Sequence, residues 1–223
     1  SRFHVVQLRR DYDADGLVTV DPDLVWFTHG WDNQLIDDVG YNLSIENSPL
    51  VIGDTLWFAN SGGLVQGWDL SGLVNGVKPH RTFRYWVGDD VDATLVPDAE
   101  GMLYVAVEYE RETDRSHELG QVIKLDPSRP DDPLVWALEA RSEAPSGVWA
   151  TPAVYGDLLL VPTDEGKVHA LDRATGEPRW TMQLPGPTWS SPTASRGRRR
   201  PATSTWWSGA GLTWCSTTST LTA

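Results

Sequence analysis

Gly63-Leu-Val-Gln-Gly-Trp-Asp69, Gly120-Gln-Val-Ile-Lys-Leu-Asp126 and Gly166-Lys-Val-His-Ala-Leu-Asp172 are three copies of one pattern: Gly, any residue, Val, two more residues, a large apolar residue, Asp. A tryptophan trails each copy, at Trp86, Trp136 and Trp180, and the copies start 57 and then 46 residues apart. Units of this length, each holding several short strand-like runs, indicate a radial or solenoid array.

Working outward, the run before each copy repeats as well. Pro49-Leu-Val-Ile-Gly-Asp-Thr-Leu-Trp-Phe-Ala59 and Pro152-Ala-Val-Tyr-Gly-Asp-Leu-Leu-Leu-Val-Pro162 superimpose residue for residue. An apolar stretch broken by Gly-Asp and then resumed is two strands around a tight hairpin turn. Leu95 to Val105 gives the middle unit the same pair of strands with a longer turn. These are strands A and B, the glycine-to-aspartate pattern is strand C, and the segment with the trailing aromatic is strand D. Val5 to Leu8 and Leu24 to Phe27 fit as a further C and D.

Four antiparallel strands per repeated unit describe a β-propeller. The expected fold is all-β: a β-propeller of four-stranded antiparallel blades, incomplete, with about three full blades plus parts of two others. Residues 1–192 form the partial propeller, with strands C and D of one blade in 1–30 and blades at 47–88, 92–140 and 150–184. Unclosed blade edges are an aggregation hazard, so self-association through them is expected.

Composition narrows the function classes. A net charge of −13 argues against nucleic acid and anionic lipid and favours cations or basic partners. No run is long enough for a membrane-spanning helix. The one cysteine, Cys215, excludes an intramolecular disulfide framework and Cys-pair metal sites. No leader peptide or other targeting signal is visible after Ser1.

Ala170-Leu-Asp-Arg-Ala-Thr-Gly-Glu-Pro-Arg-Trp180 resembles the docking motif of the pyrroloquinoline-quinone-type (quinoprotein-like) propeller repeat. The resemblance covers roughly residues 4 to 192 and is fullest in this one copy. It implies that Trp26, Trp86, Trp136 and Trp180 dock each blade onto its neighbour. Asp69, Asp126 and Asp172 would cap the turn after strand C, and Gly176 would take a positive-φ turn conformation. It implies the non-catalytic branch of the family, a periplasmic, secreted or cell-envelope location, and a chain that is a fragment of the eight-bladed rings usual there. The alternative it implies is a fragment of a dehydrogenase binding pyrroloquinoline quinone and Ca²⁺. The vicinal disulfide the resemblance implies for one form of that site has no counterpart here, the sugar-dehydrogenase branch does without it, and no cofactor is expected.

Trp189-Ser-Ser-Pro192 begins another strand A, but the pattern then stops. Residues 193–223 hold no Asp, Glu, Lys, Val, Ile, Phe or Tyr, yet 13 Ser or Thr, four Arg and three Trp. This stretch reads as an aberrant, disordered or out-of-frame tail. A polyanion-binding arm around Arg196 to Arg200 and a Ser/Thr-rich stalk are the competing readings.

Within the body, Asp89, Asp90 and Asp92 fall in a connection from strand D to strand A, and Glu46, Asp37 and Asp38 fall in the equivalent connection one blade earlier. Carboxylates from adjacent loops suit a hard cation such as Ca²⁺, so Asp89, Asp90, Asp92 and Glu46 are the candidate metal ligands. A solvated acidic loop is the plainer alternative. Glu108 to His117 reads as a charged insertion making an extended hairpin or short exposed helix. The five histidines lack metal-ligand spacing, and Trp149 with Trp189 offers a secondary stacking platform. With no nucleophile elbow or phosphate loop, the function expected is a non-enzymatic propeller binding or scaffolding protein or peptide partners.

Overall fold

The computed structural model describes residues 1–139 and 147–194, together with two short strands at 208–209 and 212–213. Two-residue turns at Gly53-Asp54 and Gly156-Asp157 join β3 (Leu50–Ile52) to β4 (Thr55–Phe58) and β11 (Ala153–Tyr155) to β12 (Leu158–Pro162). Between them β7 (Val96–Pro97) and β8 (Leu103–Ala106) are joined by a longer turn, where Asp98 accepts hydrogen bonds from the Glu100 and Met102 amides. The C strands are β5 (Leu64–Asp69), β9 (Val122–Leu125) and β13 (Lys167–Asp172), and the D strands are β6 (His80–Trp86), β10 (Leu134–Leu138) and β14 (Pro178–Gln183). Each A-B-C-D set is one antiparallel four-stranded sheet in sequence order.

The fold is thus an incomplete β-propeller, as the repeats predict. The N-terminal C and D strands are longer than the sequence suggests: β1 (Arg2–Tyr12) and β2 (Val18–His29) form one long hairpin. The remaining short strands, β15 (Ser208–Gly209) and β16 (Leu212–Thr213), pair with each other. Apart from residues 193–194, the rest of the expected aberrant tail lies outside the described residues.

The core sits between blades. In β8, Leu103 and Val105 join Trp57, Val65 and Phe83 of the preceding blade, while Tyr104 and Ala106 join Leu159, Val161 and Leu171 of the following one. Alternating side chains point to opposite faces, so this strand has no solvent face and all four residues are buried. Full burial of an aliphatic side chain contributes about 1.5–3 kcal/mol, which makes these laminated faces the main source of cohesion.

The repeat glycine has a steric reason. Gly63, Gly120 and Gly166 all have φ near +80°, and a Cβ on any of them would press into the backbone leaving strand D. A side chain there would both strain the turn and push two strands apart.

Each C–D pairing slips by one residue at the same place. The bulged residues are Val25, Thr82, Val135 and Arg179, and the next residues are Trp26, Phe83, Trp136 and Trp180. A bulge re-aims the side chain beside it, here an aromatic in all four units. Phe83, and not Trp86, stands in register with Trp136 and Trp180. Trp86 lies three residues on and packs instead against Leu35, Leu43 and Leu64.

The sequence also gave no sign of α1 (Asn33–Val39), which fills the connection after the N-terminal hairpin. Its N-cap, Asp32, accepts from the Leu35 amide and is gripped by Arg81 and Arg84 of β6. Burial pushes the Asp32 carboxyl up, but Arg84, the Leu35 amide and Arg81 outweigh it and hold the group well below the ordinary carboxylate range. A depressed native pKa stabilises the fold above the unfolded value of about 3.9 and stops doing so as pH falls through the native value. Asp32→Asn is expected to show its full deficit in urea unfolding at about pH 6, narrowing below about pH 4. A deficit independent of pH would contradict the ion-pair account.

Candidate functional site

In an A-B-C-D meander the D–A connections and the B–C loops share one rim. That rim gathers the acidic residues of two connections and of the insertion at 107–121. Asp89 organises it. The side chain is 0% exposed, and its oxygens accept hydrogen bonds from the Glu110, Arg111 and Glu112 amides, the Ser116 hydroxyl and the Asp90 amide. Its neighbour Gly88 offers its carbonyl to the Thr113 hydroxyl, and Thr113 caps α2 (Asp114–Leu119). The insertion is therefore a short helix, but a moored one, with Tyr109, Ser116 and Leu119 buried. Arg111 carries the mooring across a blade boundary by donating to the carbonyls of Ser61 and Asn42.

Asn47 does the equivalent work for the next loop. Its Nδ2 donates to the Val91 carbonyl at 2.7 Å, and its Oδ1 accepts from the Ala59 amide. The segment carrying Asp90 and Asp92 is held against the Glu46 loop from the side. From the other side the Glu108 amide donates to the Asp90 carbonyl at 2.8 Å.

The result is a convergence of carboxylates. One oxygen each from Glu46, Asp90 and Asp92 lie within 4.8 Å of one another. Asp89 is not among them, since backbone amides occupy it, and Asp37 and Asp38 sit on the exposed face of α1. Asp90 is 5% exposed and its Oδ1 has no hydrogen-bond partner. Burial and the Asp92 carboxylate push the Asp90 carboxyl well above the ordinary range. Burial and the Glu46 carboxylate do the same to Asp92. Burial, Asp92 and Glu110 push Glu108 up to about 7. A wall of acids this dense takes positive charge from somewhere, as protons, a metal ion or basic side chains of a partner.

Further along the same rim, Trp149 and Trp189 meet with ring centroids 5.5 Å apart. Trp189 is 51% exposed. The two tryptophans named in the sequence as a stacking platform are thus brought together, with the outer ring open to solvent.

Of the tryptophans expected to dock blades, Trp26 and Trp136 lie at blade boundaries. Trp26 meets Trp68 of the next blade at 5.1 Å between centroids, and Phe3 stacks on Phe58 beside it. Trp136 donates its indole N–H to the Arg173 carbonyl of the next blade, and its ring covers Gly176, where φ is +78° and a Cβ would come within 2.8 Å of the ring. Trp180 pairs with Ala170 in the same register. Asp69, Asp126 and Asp172 accept from the amides of Ser71, Ser128, and Ala174 with Thr175, each closing the turn after strand C. Arg173 was not singled out by the sequence, yet it pairs with Asp98 and Glu100 of the preceding blade and its carbonyl accepts from Lys124. The histidines are dispersed, with His169 hydrogen-bonded to Thr181.

Comparison with known proteins agrees with this architecture. Residues 118–208 match the family model described as outer membrane protein assembly factor BamB. BamB from Moraxella catarrhalis is similar at 19% identity and a TM-score of 0.49, over 69% of this chain and 42% of that one. The computationally designed Ika8 protein is similar at 11% identity and a TM-score of 0.53, over 84% of this chain and 51% of that one. The quinohemoprotein alcohol dehydrogenase from Comamonas testosteroni aligns at 18% identity and a TM-score of 0.47, over 62% of this chain and 21% of that one. The chain thus spans less than half the length of the BamB structure it resembles. No curated protein sequence matches it. For a quinone of the kind implied by the family, the residues present do not make the disulfide-floored cradle: the single cysteine is Cys215, outside the described residues. Trp149 and Trp189 lie against each other and leave no slot between them for a planar ring.

Proposed function

From a chain of pyrroloquinoline-quinone-type propeller repeats we infer a non-enzymatic binding or scaffolding module for protein or peptide partners, acting in an extracytoplasmic, cell-envelope setting. The observation that carries this reading is the half-exposed Trp189, which meets Trp149 at 5.5 Å between tilted rings on the rim that also holds Glu108 and Glu110. An aromatic anchor beside clustered acids suits a segment that presents an apolar or aromatic residue next to Lys or Arg. The match to an assembly factor for outer membrane proteins supports a protein ligand, and the net charge of −13 supports a basic one.

A peptide array varied in charge and aromatic content tests it. Peptides pairing Lys or Arg with an aromatic should be retained, and Trp189→Ala should weaken retention by about 2 kcal/mol, or roughly thirtyfold, as an interface hot spot does. Retention indifferent to Trp189→Ala, or no peptide above background, would remove the reading.

A further inference from the structure

We propose that Glu46, Asp90 and Asp92 bind one calcium ion that joins the lead-in of blade 47–88 to that of blade 92–140. The three oxygens come from two separate D–A connections and already lie within 4.8 Å of one another. Oxygens gathered this closely can meet on one hard cation, and Ca²⁺, which takes about 6–8 oxygen ligands in flexible geometry, accepts three carboxylates completed by water more readily than strictly octahedral Mg²⁺ does. The donors are all carboxylate oxygens, which suit a hard cation and exclude a preference for soft metals.

A second observation points to a ligand independently of the acidic clustering. Asp90 is 5% exposed, and its Oδ1 is buried with no hydrogen-bond partner. A buried carboxylate oxygen left without a donor is costly in any folded protein unless a cation or proton meets it. Its neighbours are not free to turn away, because Asn47 holds the Val91 carbonyl and the Glu108 amide holds the Asp90 carbonyl. The same outer hydrogen bonds that fix the loops would orient the ligands, as a second shell does around a metal. Glu46 is exposed, which leaves the ion a route in and room for water ligands.

Equilibrium dialysis of the chelator-stripped protein against radiolabelled calcium decides it. One ion per chain is expected, with Kd in the range of about 10⁻⁵–10⁻³ M and a rise in the thermal midpoint on saturation. Glu46→Gln, at an exposed position, and Asp92→Asn should each weaken binding by about tenfold or more, while Asp37→Asn on α1 should not. Absence of saturable binding up to about 10 mM, unchanged affinity in Glu46→Gln, or Mg²⁺ binding as tightly as Ca²⁺ would overturn the proposal. Trp189→Ala should leave calcium binding intact, so failure of the peptide-binding reading and failure of the ion site appear in different measurements.

Discussion

Asp89→Ala is expected to unfold the chain's central joint, lowering stability by about 4 kcal/mol, because it removes a buried charged acceptor and strands its donors. Three consecutive amides, Glu110 to Glu112, lose their partner at once, while the Ser116 hydroxyl keeps only the Thr113 carbonyl. Hydrogen bonds to a charged group are worth roughly 1.5–3 kcal/mol each, although their sum is tempered because an unmoored loop can rehydrate its amides. The loss should concentrate at one place. Amide exchange should accelerate through residues 108–121, and Arg111 should release its cross-blade carbonyls, before β5 or β13 exchange faster. Asp89→Asn keeps the shape but trades one acceptor oxygen for a donor facing amides, so it should lie between wild type and alanine. A change below about 1 kcal/mol in urea unfolding would show that the insertion is held by its apolar contacts alone.

Trp136→Ala is expected to cost about 3 kcal/mol, a usual figure for deleting a large aromatic from a packed boundary. The indole covers Gly176, hydrogen-bonds the Arg173 carbonyl and packs near Tyr104 at 6.0 Å between centroids. Gly176→Ala adds a strained positive φ and a methyl 2.8 Å from that ring, so it should be destabilising too. The two substitutions report one contact and should not add. In a double-mutant cycle Gly176→Ala should cost about 1 kcal/mol less when Trp136 is already alanine. Additive effects would mean that the two residues support the fold separately.

The strands were legible because period-2 alternation and Gly-Asp turns are local signals. Ile52 before Gly53-Asp54 and Tyr155 before Gly156-Asp157 announce their hairpins unaided. The bulges were not legible. A one-residue slip before Phe83 leaves an apolar run that reads equally well with Trp86 as its key residue, and only the pairing with Gly67 distinguishes them. Helix α1 buries fully only Leu35, too little for a 3.6-residue rhythm to stand out. For the rim, the acids of the D–A connections were visible, but the division of labour was not: Asp89 and Asp90 are adjacent, one spent on backbone amides and the other lacking donors. Asn47 had one available clue. It stands five residues before the end of its strand A, as Asp92 does in the next blade.

The lamination of β8 between two cores bears on how this chain loses structure. A sheet glued on both faces cannot be lifted out singly, because its departure orphans Phe83 and Val65 on one side and Leu159 and Leu171 on the other. Blade 47–88 is held the same way, between Trp26 and Phe3 on one side and Leu103 and Val105 on the other. The units therefore behave as links with nearest-neighbour coupling, so that loosening one blade is felt first by those beside it. In this arrangement the resilience of a blade is a property of its neighbours, more than of its own strands.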